Sequence, residues 1–170
     1  MITTARLHIV PFAEEHLTKR YVAWLNDPEV VKYSEQRHIM HTLESCRTYW
    51  KSFQDSPNHF WALETREPAL HIGTMTAYVD VPNSIADVGI LIGERIVWGK
   101  GFGFEAWYAV CQWLFTETAV HKITAGTRSD NHAMLAIMKK AGMVPDGIRK
   151  AHYVVAGQSV DVIHMALFNK

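Results

Sequence analysis

The sequence predicts an α/β domain in which a mixed, mainly antiparallel sheet of about seven strands is flanked by about four helices. Two observations predict this class. Apolar residues recur with a period of 3.6 in some segments and of 2 in others, so helices and strands both occur along the chain. One long apolar helical pattern, residues 104–118, stands between two strand patterns. We expect a single domain over residues 1–170 with the order β-α-α-β-β-β-α-β-α-β-β.

The first half of the chain is predicted to form one strand, two helices and a connecting loop. Pro11 ends the strand, and Pro28 follows the first helix, because the residue before a proline avoids the helical region. Thr42 is predicted to cap the second helix, since its hydroxyl can accept from an amide of the first turn. The predicted elements are strand 6–10, helix 13–25, a loop with one helical turn at 30–41, and a helix from Thr42 to about residue 54.

The second half is predicted to form most of the sheet. Ser129 or Asp130 is expected to cap the last helix, and Gly142 is expected to end it in the left-handed conformation. The predicted elements are strands 60–64, 72–81 and 86–92, helix 104–118, strand 122–127, helix 131–141, and strands 148–155 and 160–167, joined by a turn at 156–158.

Composition and charge exclude several classes of protein. Lys plus Arg and Asp plus Glu both number 17, so no basic excess favours nucleic acid or an anionic membrane. No apolar run suits a secretory leader or a membrane span. Cys46 and Cys111 form no metal-binding pattern, and the 10 histidines show no paired ligand spacing. We therefore expect a reduced, cytoplasmic protein without a metal site.

Three alternate glycines, Gly99, Gly101 and Gly103, separate a strand pattern from the long apolar helix. Glycine lets the backbone approach a ligand, and the start of a helix directs unpaired amides and the positive dipole end outward. This arrangement favours a phosphate or pyrophosphate. The dinucleotide fingerprint fails because its last glycine falls at Phe104, and the P-loop fails because its first glycine falls at Glu94.

The loop and its surroundings resemble the GNAT superfamily of acetyl-CoA-dependent N-acetyltransferases. Residues 98–103 read WGKGFG, which fits the pyrophosphate loop Q/R-x-x-G-x-G/A of that family apart from its first residue. Tryptophan at this position is similar to the branch that contains the RimJ and RimL acetylases of ribosomal-protein N-termini. Segment 24–30, Asn131 and segment 140–143 fall in the same order as in the family, so the resemblance covers nearly the whole chain. It implies the GNAT fold, splayed at the strand before the loop.

The resemblance also implies acetyl-CoA (coenzyme A) as the cofactor. In relatives, backbone groups of the strand before the loop bind the pantetheine arm and polarise the thioester carbonyl. Here Gly89 would be a bulge that splays that strand open. Lys100 would be a solvent-side charge near the pyrophosphate, and Asn131 would bond near the pantetheine or cap its helix. The implied cofactor-binding residues are Val88, Gly89, Ile90, Leu91, Ile92, Trp98, Gly99, Lys100, Gly101, Phe102, Gly103 and Asn131.

Asp87 is the candidate catalytic base. Attack on a thioester needs a neutral amine, and an alkyl amine with a pKa near ~10 is almost wholly protonated at neutral pH. Asp87 lies two residues before Gly89, where many relatives have a glutamate proposed as the base. The shorter aspartate would act directly or through a water. The alternative is a solvated carboxylate on a strand edge.

A general acid is harder to assign. Many relatives place a tyrosine seven residues after the asparagine that opens the last helix, near the CoA sulfur, whereas this chain has Met138. Ser129, His132 and Tyr153 are alternative donors. A leaving thiolate with a pKa near ~8.5 needs no dedicated acid.

The loop after the first helix is predicted to shape the acceptor cleft. Glu35 would bind the amine, and Arg37 would bind a phosphate or carboxylate of the acceptor. A solvated loop is the alternative. The candidate acceptor-binding residues are Tyr33, Glu35, Arg37, His38 and Tyr153, with Arg149 and His152 as weaker candidates.

Three functions remain open. The first is acetyl transfer to a small amine, such as a nucleotide-linked amino sugar, by direct attack on the thioester. The second is RimJ/RimL-type acetylation of a protein N-terminus. The third is a non-catalytic acyl-CoA-binding module, suggested by Met138. We expect a small-molecule amine or a peptide N-terminus as the acceptor, no nucleic acid or membrane partner, and a monomer or homodimer.

Overall fold

A computed structural model describes residues 1–169 as one sheet of eight strands with four α-helices. The strands are β1 (Ile2–Thr3), β2 (Leu7–Pro11), β3 (His59–Thr65), β4 (Leu70–Asp80), β5 (Ile85–Ile92), β6 (Lys122–Arg128), β7 (Val144–Val155) and β8 (Gln158–Phe168). The helices are α1 (Lys19–Leu25), α2 (Leu43–Lys51), α3 (Phe102–Glu117) and α4 (His132–Lys140). The spatial order of the strands is β1-β2-β3-β4-β5-β6-β8-β7. The predicted class and element order are confirmed, and the short β1 is an additional strand.

Two apolar clusters cover opposite faces of the sheet, because successive side chains of a strand point to opposite sides. The larger cluster packs α3 and α4 on one face, and Trp107 and Met138 within it are fully buried. The smaller cluster packs α1 and α2 on the other face through Tyr21, Trp24 and Phe60. Burial of these stripes is what holds the helices to the sheet.

The sheet opens between β5 and β6. These two strands form a parallel pair only from Ile85 to Asp87 on β5, opposite Lys122 to Thr124 on β6. On its other side β5 stays paired with β4 in an unbroken register. The predicted bulge at Gly89 is therefore wrong, because the opening arises where the two parallel strands diverge.

Several predicted boundaries need correction. The predicted helix 13–25 is broken: a 3₁₀ turn, Glu14–His16, precedes α1, whose cap is Thr18. The cap at Thr42 is confirmed, but α2 ends at Lys51, because the chain turns before residue 54. Helix α3 begins at Phe102 rather than near residue 104, because Gly101 already caps it. Asn131, and neither Ser129 nor Asp130, caps α4.

The last hairpin carries a bulge that the sequence pattern does not reveal. Residues 150–152 of β7 stand opposite a single residue of β8, Asp161, and the register shifts between Arg149 and Tyr153. Ala151 has φ +48°, and the Asp161 carboxylate accepts from its amide at 2.8 Å and from Lys150 Nζ at 2.9 Å. The predicted turn at 156–158 is confirmed, and Ala156 and Gly157 within it have positive φ.

Residues 1–169 contain neither a candidate membrane span nor a candidate metal-binding cluster. No helix there is both long and apolar enough to cross a membrane. No group of three or more His, Cys, Asp and Glu side chains is arranged to hold a metal ion. Cys46 and Cys111 are both free and buried.

Candidate active site

A cleft of about 440 Å³ occupies the opening between β5 and β6. Residues 87–92 form one wall and residues 125–128 form the other, while Trp107, Met134 and Met138 close it from the helical side. At the opposite side it is lined by the loop before α2 and by the bulged part of β7. The divergence of two paired strands thus produces a groove bordered by unpaired backbone groups of β5.

The glycine loop lies at the end of β5 and opens α3. Gly99 has φ +72° and Gly101, the N-cap of α3, has φ +84°, which residues with a Cβ adopt only at a cost of about 1–2 kcal/mol. The first-turn amides of α3 have no acceptor within their own helix. Gly103 differs, because a Cβ there would lie 3.2 Å from Ile137 Cδ1. Its role is close packing of α3 on α4.

A carboxylate in the first turn of α3 anchors this loop to the N-terminal segment. Glu105 accepts from Thr4 Oγ1 at 2.6 Å, from the Arg6 amide at 2.8 Å and from Arg6 Nε at 2.6 Å. Arg6 also donates to the Lys100 carbonyl at 2.9 Å. Burial opposes the charged form of Glu105, but these hydrogen bonds outweigh it and lower its pKa. Neither anchor is among the predicted site residues, although an acid in a first helical turn is a recognisable signal.

Trp98 ties the other end of the loop to the sheet. Its Nε1 donates to the Ile92 carbonyl at 2.9 Å, and Ile92 is the last residue of β5. The indole remains 41% exposed, with the Arg95 guanidinium 5.7 Å from its ring centroid. Lys100 is exposed, as predicted. The position where the family loop has Gln or Arg therefore serves here to fix the loop relative to β5.

Asp87 stands where the pairing of β5 with β6 ends. Its carboxylate accepts from Thr124 Oγ1 at 2.7 Å. The side chain is open to the cleft, yet protein surrounds it on most sides, and this partial burial raises its pKa. The Thr124 hydrogen bond and the nearby His164 and Arg149 act in the opposite direction. A carboxyl group in such a position is suited to exchange protons with a ligand in the cleft.

His164 lines the cleft beside Asp87 and is not among the predicted residues. Its Nε2 is buried without a hydrogen-bond partner in the described chain. The imidazole lies over Gly126, where a Cβ would be only 2.8 Å from His164 Cε1. The signal in the sequence is that glycine inside a strand, because a glycine there often marks the close approach of another group.

The helical side of the cleft offers one unused donor. Trp107 is fully buried, and its Nε1 has no partner among the described residues. Because it lines the cleft, it can donate to an oxygen of a bound molecule. Met138, where many relatives have tyrosine, is fully buried there and carries no exchangeable proton.

Asn131 is occupied by its own helix and strand. Its Oδ1 accepts from the Met134 amide at 3.2 Å, and its Nδ2 donates to Thr127 Oγ1 at 3.0 Å. It lines the cleft, whereas Ser129 and His132, two of the alternative acid candidates, are absent from its lining.

The predicted acceptor residues divide into two groups. Tyr33, Glu35 and Tyr153 line the cleft, whereas Arg37 and His38 do not. Glu35 accepts from Arg37 Nη1 at 2.6 Å and lies 3.5 Å from His38 Nε2, so these three side chains pair with one another. The predicted helical turn is confirmed as a 3₁₀ turn over Glu35–His38.

Two interior contacts hold that loop in place. Arg128 is 3% exposed, donates to both Asp130 oxygens and to the Lys32 carbonyl at 2.8 Å, and lies 5.1 Å from the Tyr33 ring centroid. Asn26 exchanges two hydrogen bonds with the backbone of His41, at 2.8 and 2.9 Å. Arg128 lies far from the loop in sequence, and Asn26 belongs to segment 24–30, for which no contact with the loop is predicted.

A second cavity of about 460 Å³ lies next to the cleft on the α1 and α2 side. The two cavities share Ser34 and residues 89–91. Gly89 keeps room at this junction, since a Cβ there would lie 3.1 Å from Thr76 Oγ1. A ligand in one cavity can therefore meet a ligand in the other at β5.

Comparison with known proteins identifies the family. The sequence matches the family description "Acetyltransferase (GNAT) domain" over residues 6–144. The chain belongs to the GNAT acetyltransferase family. The glycine loop, Asp87 and both walls of the cleft lie within the matched residues, whereas the cleft-lining residues of β7 and β8 lie beyond them.

Relatives of this GNAT chain are distant in sequence and close in fold. "Uncharacterized N-acetyltransferase p20" of Bacillus licheniformis is 24% identical over 155 residues, which cover 85% of this chain and 83% of the relative. A spermidine N-acetyltransferase from Vibrio cholerae, solved with CoA and spermine, superposes with TM-score 0.86 at 18% identity, covering 97% and 96% of the two chains. RimL, a ribosomal L7/L12 α-N-protein acetyltransferase solved with CoA, gives TM-score 0.83 at 14% identity, covering 97% and 95%.

These findings confirm the predicted fold, enzyme class and cofactor. This GNAT chain is an acetyl-CoA-dependent N-acetyltransferase. The fold neighbours act on different acceptors by their names, so they leave the acceptor of this chain undecided. The RimJ/RimL branch stays a prediction.

Proposed function

We propose that this enzyme transfers the acetyl group of acetyl-CoA to the primary amine of a small molecule by direct attack. The observation that carries the proposal is the meeting of two cavities at residues 89–91 of β5, with Asp87 two residues away. The first cavity runs along β5 as far as Ile92, and the second is lined by α1, α2 and the sheet. The glycine loop follows Ile92 in the chain but does not itself line the first cavity. Such an arrangement suits a reaction between two bound ligands.

The residues around the cleft fit acetyl-CoA. Backbone groups of residues 88–91 have no strand partner on the side where β6 has diverged, so they can bond the pantetheine arm. The amides of the glycine loop and of the first turn of α3 can donate to the pyrophosphate, apart from the Lys100 amide, which donates to the Val97 carbonyl. The unused Trp107 Nε1 offers one further donor to the arm. When bound, acetyl-CoA supplies a thioester whose carbonyl carbon a neutral amine can attack.

Asp87 is assigned the role of base in this proposal. The amine arrives as an ammonium ion, and the Asp87 carboxylate takes its proton directly or through a water. Burial raises the pKa of Asp87, which brings this carboxyl group closer to the pKa of its proton donor. Met138 provides no proton, so the step relies on a thiol leaving group whose pKa is near ~8.5.

The predicted nucleotide-linked amino sugar stays a prediction. It depends on Arg37 as a partner for a phosphate, whereas Arg37 pairs with Glu35 and with the Ser34 carbonyl in this structure. The small-amine class does not depend on that contact, since it rests on the two joined cavities.

An acetylation assay with labelled acetyl-CoA tests this function. The enzyme is incubated separately with the small-molecule fraction and the protein fraction of a cell extract, and products are identified by mass spectrometry. We expect a labelled amide in the small-molecule fraction. Label found only on protein N-termini would favour the RimL-like alternative. No transfer in either fraction, with acetyl-CoA still bound, would favour a non-catalytic acyl-CoA-binding module.

A further inference from the structure

The second cavity has a chemical character that restricts the acceptor. None of its lining residues is Asp, Glu, Lys or Arg, among the residues that the structure describes. The charged groups of the neighbouring loop, Glu35 and Arg37, pair with each other and do not line it. The wall of this cavity therefore carries no carboxylate, ammonium or guanidinium group among the described residues.

Aromatic rings make up much of the wall of this second cavity. Tyr21 is 2% exposed and Phe60 is 7% exposed, and the hydroxyl groups of Tyr49 and Tyr78 lie 2.6 Å apart. Burial raises the pKa of both Tyr21 and Tyr49 above the ordinary value, so these phenols stay neutral at physiological pH. Rings in such positions pack against flat or apolar groups.

A few polar groups complete the cavity. His41 Nε2 is buried without a partner in the described chain, and the backbone of His41 is held by Asn26, whose Nδ2 donates to the His41 carbonyl and whose Oδ1 accepts from the His41 amide. Thr74 and Thr76 present side chains from the adjacent face of β4. These groups can bond a hydroxyl or amide of a ligand, but they cannot neutralise a second charge.

The register between β4 and β5 indicates where the amine of the ligand would lie. Tyr78 pairs with Asp87, and Thr76 pairs with Gly89, across β4 and β5. Directly paired residues lie side by side on one face of a sheet. Asp87 is therefore the carboxylate next to this cavity, at the end where the two cavities join.

These observations disfavour ligands that carry further charge. A polyamine would bring a second ammonium ion into a wall without a carboxylate, and a nucleotide-linked sugar would bring phosphates into a wall without a lysine or an arginine. Burial of an unpaired charge is strongly unfavourable. Building on the proposed function, we propose that the acceptor is a primary amine on an uncharged, aromatic or apolar body. The body occupies the cavity lined by Tyr21, Tyr49, Phe60 and Tyr78, and the amine lies at Asp87.

A defined acceptor panel tests this proposal with the wild-type enzyme and acetyl-CoA. The panel contains tyramine and phenethylamine as neutral-bodied amines, spermidine, a uridine-diphosphate amino sugar, and a short peptide with a free N-terminus. We expect kcat/KM for the best neutral-bodied amine to exceed that for spermidine and for the amino sugar by at least about 100-fold, because both of these carry buried charge without a partner.

One isosteric substitution tests the location of the body. Gln36→Glu places a carboxylate in the cavity wall, whereas Gln158→Glu makes the same change in the exposed β7–β8 turn. We expect Gln36→Glu to shift the kcat/KM ratio of spermidine over tyramine at least about tenfold toward spermidine, and Gln158→Glu to leave it unchanged.

The outcomes separate this inference from the proposed function. Acetylation of spermidine, the amino sugar or the peptide in preference to both neutral-bodied amines would overturn the inference and leave the enzyme an N-acetyltransferase. Equal effects of the two glutamate variants would also overturn it, because the body would then lie elsewhere. No acetylation of any amine in the panel would count against the proposed function as well.

Discussion

Asp87 lines the cleft in an environment that disfavours its ionised form. Protein around it raises its pKa, whereas an ordinary surface aspartate would keep the value of a free side chain. Its one hydrogen bond, from Thr124, stabilises the ionised form without satisfying all of the carboxylate lone pairs. Asp87 also lines the cleft, so a bound ligand can reach this carboxylate.

Asp87→Asn removes the proposed base with almost no change of shape. We expect kcat to fall by roughly 10²–10⁴-fold, because the amide cannot accept the proton of the ammonium ion. Steady-state kinetics with acetyl-CoA and an accepted amine measures this. Asp55→Asn, at an exposed position outside both cavities, serves as the matched control and should retain full activity. A loss within a few-fold for Asp87→Asn would remove Asp87 from the mechanism.

Asp87→Asn should lower activity without lowering stability at neutral pH. Since the folded-state pKa of Asp87 is raised, its contribution to stability is present at low pH and is lost as pH rises through that pKa. At neutral pH the asparagine variant should therefore melt at the same temperature as the wild type or slightly above it. The activity of the wild type should fall on the acid side, at a pH above the ordinary aspartate pKa of ~3.9.

At the scale of elements, the start of α3 depends on contacts that span the chain. Glu105 joins the first turn of this helix to the segment before β2, and Arg6 continues the connection to the carbonyl of Lys100 in the glycine loop. Trp98 holds the same loop to the end of β5. Loop, helix and strand are therefore joined by side-chain hydrogen bonds.

Glu105→Gln tests the contribution of this anchor. Loss of the charge weakens hydrogen bonds that are each worth about 1.5–3 kcal/mol when a partner is ionised, so the melting temperature at pH 7 should fall by several degrees. Because the folded-state pKa of Glu105 is lowered, the difference from wild type should shrink as pH falls below about 4.3.

The control for this anchor lies on the same helix. Glu117→Gln changes an exposed residue at the end of α3 and should leave the melting temperature close to that of the wild type. A Glu105→Gln protein that melts like the Glu117→Gln protein at pH 7 would show that the network does not stabilise the fold. Thermal unfolding followed by circular dichroism at several pH values makes the comparison.

At the scale of the whole molecule, local pattern predicts most of the fold. The switch between periods of 3.6 and 2 predicts every α-helix and seven of the eight strands, although β7 is exposed along most of its length. The pattern does not predict β1, because this strand contains only two residues, Ile2–Thr3. The glycines Gly99 and Gly101 predict the loop, because their positive φ values are a local demand of the backbone.

Features that depend on contacts between distant segments are not predictable in the same way. The opening of the sheet is set by where β6 diverges from β5, and no residue type marks that point. His164 reaches the cleft through its pairing with Gly126, and Arg128 reaches the loop before α2 through the carbonyl of Lys32. These contacts form only when distant strands pair. The sequence therefore predicts the acetyl-CoA site better than the site of the acceptor amine.

A crystal structure of this enzyme with CoA tests the central assignment most directly. We predict the pantetheine arm between residues 88–92 and 125–128, with the pyrophosphate on the amides of residues 99–104 and the sulfur at the junction of the two cavities. CoA bound elsewhere on the protein, or a β5–β6 cleft left empty at saturating CoA, would contradict the assignment.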